Sequence, residues 1–205
     1  MFDADGVLWH GDVSEDFTLW MIGEGHFDGQ LWPVYERCNR EDPAEGALQI
    51  LNFYRGLSAG EIDEHVECFW RTGAPRLWVE AVRATIQWAT EQGFTVFVVS
   101  ASPAPVLRPL TRYLPVDQVF GLELAFDDAG LATGQPDGVV TTGTGKAERV
   151  RMESRLSVHL AVGDSCLDVP MMRLSSGVAW AINPDDVLRE VAEREQWLVT
   201  TETPE

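Results

Sequence analysis

Met1-Phe2-Asp3-Ala4-Asp5-Gly6-Val7 is the stretch whose reading decides the fold. Two apolar residues lead into two carboxylates spaced two apart, and a glycine follows. In a strand, residues i and i+2 point the same way. A buried strand ending at Asp3 would deliver that carboxylate to its carboxyl end, where open parallel sheets bind ligands. Gly6 would then let the chain turn sharply. One acid could attack while the other moves a proton. Asp-x-Asp-Gly is equally a common turn composition, so the segment gains meaning only beside others.

Two further apolar runs end in polar groups. Residues 94–99 are β-rich and almost continuously hydrophobic, as suits a parallel strand buried on both faces. They lead into Ser100-Ala101-Ser102-Pro103. Residues 159–163 form a similar run and end at Asp164. A last parallel strand is expected over 178–182, a short strand over 118–120, and a hairpin over 122–134. Helices are expected over 78–92 (closed by Gly93), 106–113, 146–156 and 185–195, and residues 6–9 read as extended. Strands alternating with helices argue for a right-handed α/β sheet. Between residues 13 and 80 the pattern is helical instead. Helices are expected over 16–22 and 44–54. Another starts after Ser58, which with Glu61 makes a capping box.

Composition narrows the function. The formal charge of −18, from 15 basic and 33 acidic residues, argues against nucleic acid or an anionic membrane as partner, since both need a basic footprint. No apolar run approaches the roughly 18 residues of a membrane span. No basic and apolar leader precedes the acidic motif. Cys38, Cys68 and Cys166 are odd in number and irregularly spaced, which suggests free thiols in a reducing compartment; a cytoplasmic location is expected. Fourteen of the fifteen basic residues are Arg, and Lys146 is the one Lys. Gly143-Thr144-Gly145-Lys146 lacks the glycine spacing and the Ser or Thr of a P-loop.

A shared strand-end edge would gather Asp3, Asp5, Ser100, Asp164 and the Lys146 ammonium. Crowded carboxylates repel unless a cation sits among them. All-oxygen ligands favour a hard ion such as Mg²⁺. In its four ordered motifs the chain resembles the haloacid dehalogenase-like (HAD) phosphatases, in particular the phosphoserine-phosphatase-like branch with a helical cap (subfamily IB type). The motifs are Asp3-Ala4-Asp5-Gly6-Val7, the strand ending at Ser100, Lys146 in Gly145-Lys146-Ala147, and Gly163-Asp164-Ser165-Cys166-Leu167-Asp168.

The resemblance implies a three-layer α/β/α, Rossmann-like parallel sheet. Residues 1–12 and 80–205 would form its core, with a helical cap over 13–79. It implies a Mg²⁺-dependent phosphatase acting on a small phosphorylated metabolite, as a monomer or homodimer. Asp3 would be the nucleophile and Asp5 the general acid and base. Ser100 and the backbone of Ala101 would hold phosphoryl oxygens, with Lys146 offsetting charge. Asp3, the Asp5 carbonyl, Asp164 and Asp168 would form the metal site. The second acid, Asp5, argues for phosphoryl chemistry over carbon–halogen cleavage. A phosphotransferase using the same intermediate, or a non-catalytic phosphate-binding module, is the alternative.

The chain also departs from the branch. Val7 replaces the usual Thr, and Leu167 a polar residue. Asp12 stands where a Glu meets the substrate amine. Arg37, Arg40 and Arg55 are candidates for a substrate carboxylate, without a motif. Trp9, Trp20, Trp32 and Trp70 could cage a quaternary ammonium or pack between helices.

Overall fold

The computed structural model describes residues 1–72, 77–153 and 157–202. Its centre is the N-terminal segment. Phe2 bridges Val98 on one side and Val162 on the other, both in parallel. The Phe2 amide donates to the Phe97 carbonyl at 2.9 Å, and the Asp3 amide to the Val162 carbonyl at 3.0 Å. This segment therefore runs between β1 (Phe97–Pro103) and β4 (Val158–Gly163). β2 (Gln118–Phe126) pairs in parallel outside β1 and antiparallel with β3 (Ala132–Asp137). On the other side, β5 (Ser175–Ile182) and then β6 (Leu198–Thr200) continue the parallel sheet. The fold is the expected three-layer α/β architecture.

Two apolar clusters cover the two faces. One joins Phe2, Val98 and Val162 to α5 (Glu80–Glu91), through Val82 and Ile86, and to the helices that precede it. The other joins Val99 and Ala161 to α7 (Thr144–Glu153), α8 (Val169–Met172) and α9 (Asp186–Glu195), through Val150, Met171, Met172 and Leu188.

The stretch before β1 is helical. It holds α1 (Val13–Gly23), α2 (Trp32–Glu41), α3 (Pro43–Gln49) and α4 (Ala59–Arg71). The capping box on α4 is present, with the Glu61 amide donating to Ser58 Oγ and the Ser58 amide to Glu61 Oε2. The chain enters and leaves this helical stretch through one narrow ribbon. Trp9 pairs antiparallel with Trp78. The His10 amide donates to the Leu77 carbonyl at 2.8 Å, and the Val79 amide to the Leu8 carbonyl at 2.9 Å.

Several expected elements differ in detail. Residues 6–8 turn rather than extend, because the Val7 and Leu8 amides both reach back to the Ala4 carbonyl. The strand expected over 94–99 lies over Phe97–Pro103, where its partners Phe2 and β2 stand. The helix expected over 106–113 is two short pieces, α6 (Ala104–Leu107) and a 3₁₀ turn at Arg108–Arg112. Pro105 and Pro109 lack the amides a longer helix needs. The helix expected over 44–54 likewise changes to 3₁₀ at Ile50–Tyr54. The end of the helix expected over 146–156 lies outside the described residues. The short strand expected over 118–120 instead continues to Phe126 and becomes one arm of the hairpin.

Candidate active site

Asp3, Asp5, Ser100, Ala101, Lys146 and Asp164 line one cavity of about 440 Å³. The topology explains why. Asp3 follows the central bridge, Ser100 lies on β1, and Asp164 follows β4, so neighbouring strands present all three at one edge. Lys146 comes from the first turn of α7.

Asp3 is buried, and its two oxygens are treated differently. Oδ1 accepts the Ala4 amide at 2.8 Å and pairs with Lys146 Nζ at 2.8 Å. Oδ2 receives no donor among the described residues. Burial and the nearby Asp168 push the Asp3 carboxyl up to about 8, against the pull of Lys146. Lys146 is itself buried and pairs with Asp168 Oδ1 at 2.6 Å. Burial alone would lower its pKa, but Asp168 and Asp3 hold it above the usual lysine range.

Asp5 is held on all sides. Its Oδ1 accepts from the Trp9 indole at 2.9 Å and the Val13 amide at 2.7 Å. Its Oδ2 accepts from Ser102 Oγ at 2.6 Å and Ser100 Oγ at 3.2 Å. Burial and the charge of Asp12 push Asp5 up to about 7; the Ser102, Val13 and Trp9 donors oppose that rise.

Asp164 lies against Gly6. A Cβ at residue 6 would come within 2.0 Å of Asp164 Oδ2, and Gly6 has φ +73°. Only glycine meets both demands. Burial, then Asp168 and Asp3, raise the Asp164 carboxyl well above the ordinary range. Asp168 is fully buried. Its Oδ2 accepts the Asp164 and Ser165 amides at 3.0 and 3.2 Å, and Oδ1 takes Lys146. Its oxygens are thus committed to shaping the loop and fixing Lys146.

Oxygens of Asp3, Asp164 and Asp168 lie within 4.8 Å of one another. Lys146 supplies one positive charge to this cluster. An oxygen-only set with uncompensated charge fits a hard divalent cation.

Asp12 is the N-cap of α1: its Oδ1 accepts the Ser14 and Glu15 amides and the Ser14 hydroxyl. It also lines the cavity, together with Glu15, Tyr35 and Asn39. The four tryptophans considered for an ammonium cage do not line it. Trp70 donates to the Val106 carbonyl, Trp9 serves Asp5, and Trp20 and Trp32 pack on the apolar cluster.

Sequence reasoning missed Ser102, the indole of Trp9, Glu15, Tyr35 and Asn39. Ser102 carried a usable signal. It stands two residues after Ser100, the spacing that also puts Asp3 and Asp5 on one side. The others depend on packing that no local pattern records.

Comparison with known proteins shows the family and the fold. A family model described as haloacid dehalogenase-like hydrolase matches residues 1–173. Phosphoserine phosphatase SerB1 of Mycobacterium tuberculosis is 33% identical over 212 residues, covering 96% of this chain and 68% of the relative. Phosphoserine phosphatase SerB2 of the same organism is 30% identical, over 94% of this chain and 46% of the longer relative. Among solved structures, a Bordetella pertussis protein of unknown function superposes with a TM-score of 0.85 at 20% identity, over 97% of this chain and 95% of that one. A substrate-bound phosphoserine phosphatase superposes with a TM-score of 0.68 at 18% identity, over 97% and 90%.

Proposed function

Because the chain belongs to the haloacid dehalogenase-like hydrolase family, in its phosphoserine-phosphatase-like branch, we propose that it hydrolyses a small phosphomonoester through an aspartyl-phosphate on Asp3. One observation carries the reading: Asp3 has one oxygen anchored by Lys146 and the Ala4 amide while the other is left without a donor among the described residues, beside an Asp5 whose carboxyl is fixed by the Ser100 and Ser102 hydroxyls.

The residues divide the work. Asp3 Oδ2 attacks phosphorus, and the bond from phosphorus to the ester oxygen breaks. Asp5 gives its proton to that departing oxygen. Water then attacks the aspartyl-phosphate as Asp5 takes its proton back. The Asp3 carboxylate and inorganic phosphate separate. Ser100 and the Ala101 backbone hold phosphoryl oxygens, and Lys146 offsets their charge. Such placement of charge accounts for most of the catalysis in phosphoryl transfer.

Asp3, the Asp5 backbone carbonyl and Asp164 would hold Mg²⁺, with Asp168 supporting them through Lys146 and the loop. When bound, the ion supplies further charge compensation at the phosphoryl group. Residues 13–79 act as a cap that excludes water from the leaving-group end. The free thiols of Cys38, Cys68 and Cys166 suit a reducing cytoplasm. Among the described residues no helix is long and apolar enough to cross a membrane.

The test is inorganic phosphate release from p-nitrophenyl phosphate and small phosphomonoesters, with Mg²⁺ and with EDTA. Release that needs the metal is the expected result. Folded protein that frees no phosphate from any of them would remove the phosphatase reading.

A further inference from the structure

The wall of the cavity away from Asp3 is acidic, and its guanidinium candidates lie elsewhere. Asp12 and Glu15 line it from α1, and Tyr35 and Asn39 from α2. Glu15 Oε1 accepts from the buried Tyr35 hydroxyl at 2.7 Å and from Asn39 Nδ2 at 3.4 Å. Asp12 Oδ1 is taken up by the α1 cap. Asp12 Oδ2 and Glu15 Oε2 receive no donor among the described residues. Each carboxylate therefore has one oxygen fixed and one to offer.

Among the described residues, Lys146 is the one base that lines the cavity, and Asp3 and Asp168 already hold it. Arg37 and Arg40 are exposed on α2 and do not line the cavity. Arg55 is exposed and donates to Asn52. A substrate carboxylate here would face Asp12 and Glu15 with no free cation among the described lining residues to receive it, and like charges so placed disfavour binding. An ammonium brings three donors and a positive charge to the same two acids. Pro43, Ala47 and Ile50 complete the wall with apolar surface for a short methylene stem.

We propose that the substrate is the phosphate ester of a small amino alcohol that carries an ammonium and no carboxylate. This rests on the phosphatase reading above. It departs from the substrate for which its relatives are named, because phosphoserine carries a carboxylate beside its amine. Hydrolysis consumes one water and yields the free amino alcohol and inorganic phosphate.

O-phosphoethanolamine and O-phosphoserine differ by that one carboxylate, so they form the test pair. Glycerol 3-phosphate serves as an uncharged leaving group and p-nitrophenyl phosphate as a generic ester. With Mg²⁺ present, kcat/KM for O-phosphoethanolamine is expected to exceed that for O-phosphoserine by about tenfold or more. Glu15→Gln keeps the volume and removes the charge, and should shrink that ratio at least about threefold. Equal or greater activity on O-phosphoserine or glycerol 3-phosphate, with p-nitrophenyl phosphate turned over, overturns this inference and leaves the phosphatase standing. An unchanged ratio in folded Glu15→Gln also overturns it. Turnover of none of the four compounds overturns the phosphatase reading itself, and the inference with it.

Discussion

Two walls of one cavity are built in opposite ways. The wall proposed to be catalytic is made largely from strand ends, and its bonds span the chain: Asp5 meets Ser102 across 97 residues. Asp3 and Asp168 are buried and pair with Lys146, and backbone amides help to fix them. The facing wall comes from α1 and α2. There the bonds are shorter in sequence, 20 residues between Glu15 and Tyr35, and two carboxylate oxygens are left open. The first wall is arranged for a reaction that does not vary. The second is arranged for whatever molecule arrives. Rigidity lies where charge must be placed, and open valence where a partner must be chosen.

That contrast can be broken most sharply at Asp3. Asp3→Asn removes the proposed nucleophile while keeping the shape, so kcat should fall by about 10⁴-fold or more. Phosphate release and a thermal melt measured together check it; near-normal turnover would show that the anchored carboxylate is not the attacking group. Lys146→Ala comes next. It leaves Asp3 and Asp168 buried without their shared cation, a change that costs about 3–5 kcal/mol in buried pairs. The variant should melt well below the parent and lose turnover, with added Mg²⁺ recovering part of the melting temperature. An unshifted melt would mean that this wall does not depend on its single ammonium.

Ser102→Ala sharpens the comparison by a smaller step. Asp5 must carry its proton to act as acid, so activity falls as pH rises through its pKa of about 7. The Ser102 hydroxyl favours the charged carboxylate. Without it the Asp5 pKa rises, and the falling limb of kcat/KM should move to higher pH. A pH–rate profile reads this directly; a limb that stays in place would exclude Ser102 from tuning Asp5. The smallest effect belongs to the helical side. Ser58→Ala removes the α4 N-cap and should cost about 1 kcal/mol of stability, with kcat on p-nitrophenyl phosphate close to the parent value. A denaturant titration beside a rate assay tests whether cap stability and chemistry separate in this way.

Much of the wall proposed to be catalytic was legible in the sequence because Asp3, Ser100 and Asp164 each stand at the end of an apolar run. Alternation and hydrophobic continuity locate Asp3, Ser100 and Asp164 before any contact is known, and Lys146 stands out as the single lysine. Asp168 was legible as a member of the site but not in its bonds: two loop amides and the ammonium commit its oxygens. The leaving-group wall was much less visible. Asp12 could be placed by motif, yet Glu15, Tyr35 and Asn39 meet only through the packing of α1 on α2. The helix α2 itself escaped notice because it is polar over much of its length. β6 escaped for another reason, since three residues beside β5 carry too little pattern to announce a strand.

The central position of Phe2 has a consequence in time. Its strand leaves the ribosome before either neighbour, because Met1 bonds Leu160 across 159 residues and β1 also arrives long after it. At roughly 5–20 residues per second, the second neighbour emerges about ten to thirty seconds later. The helices α1 to α4 have local contacts and can form in that interval. Asp3 waits for its partners. A chain cut short before β4 has Asp3 and Asp5 but nowhere to seat them, so a nascent or truncated copy is chemically silent until the sheet closes around its first strand.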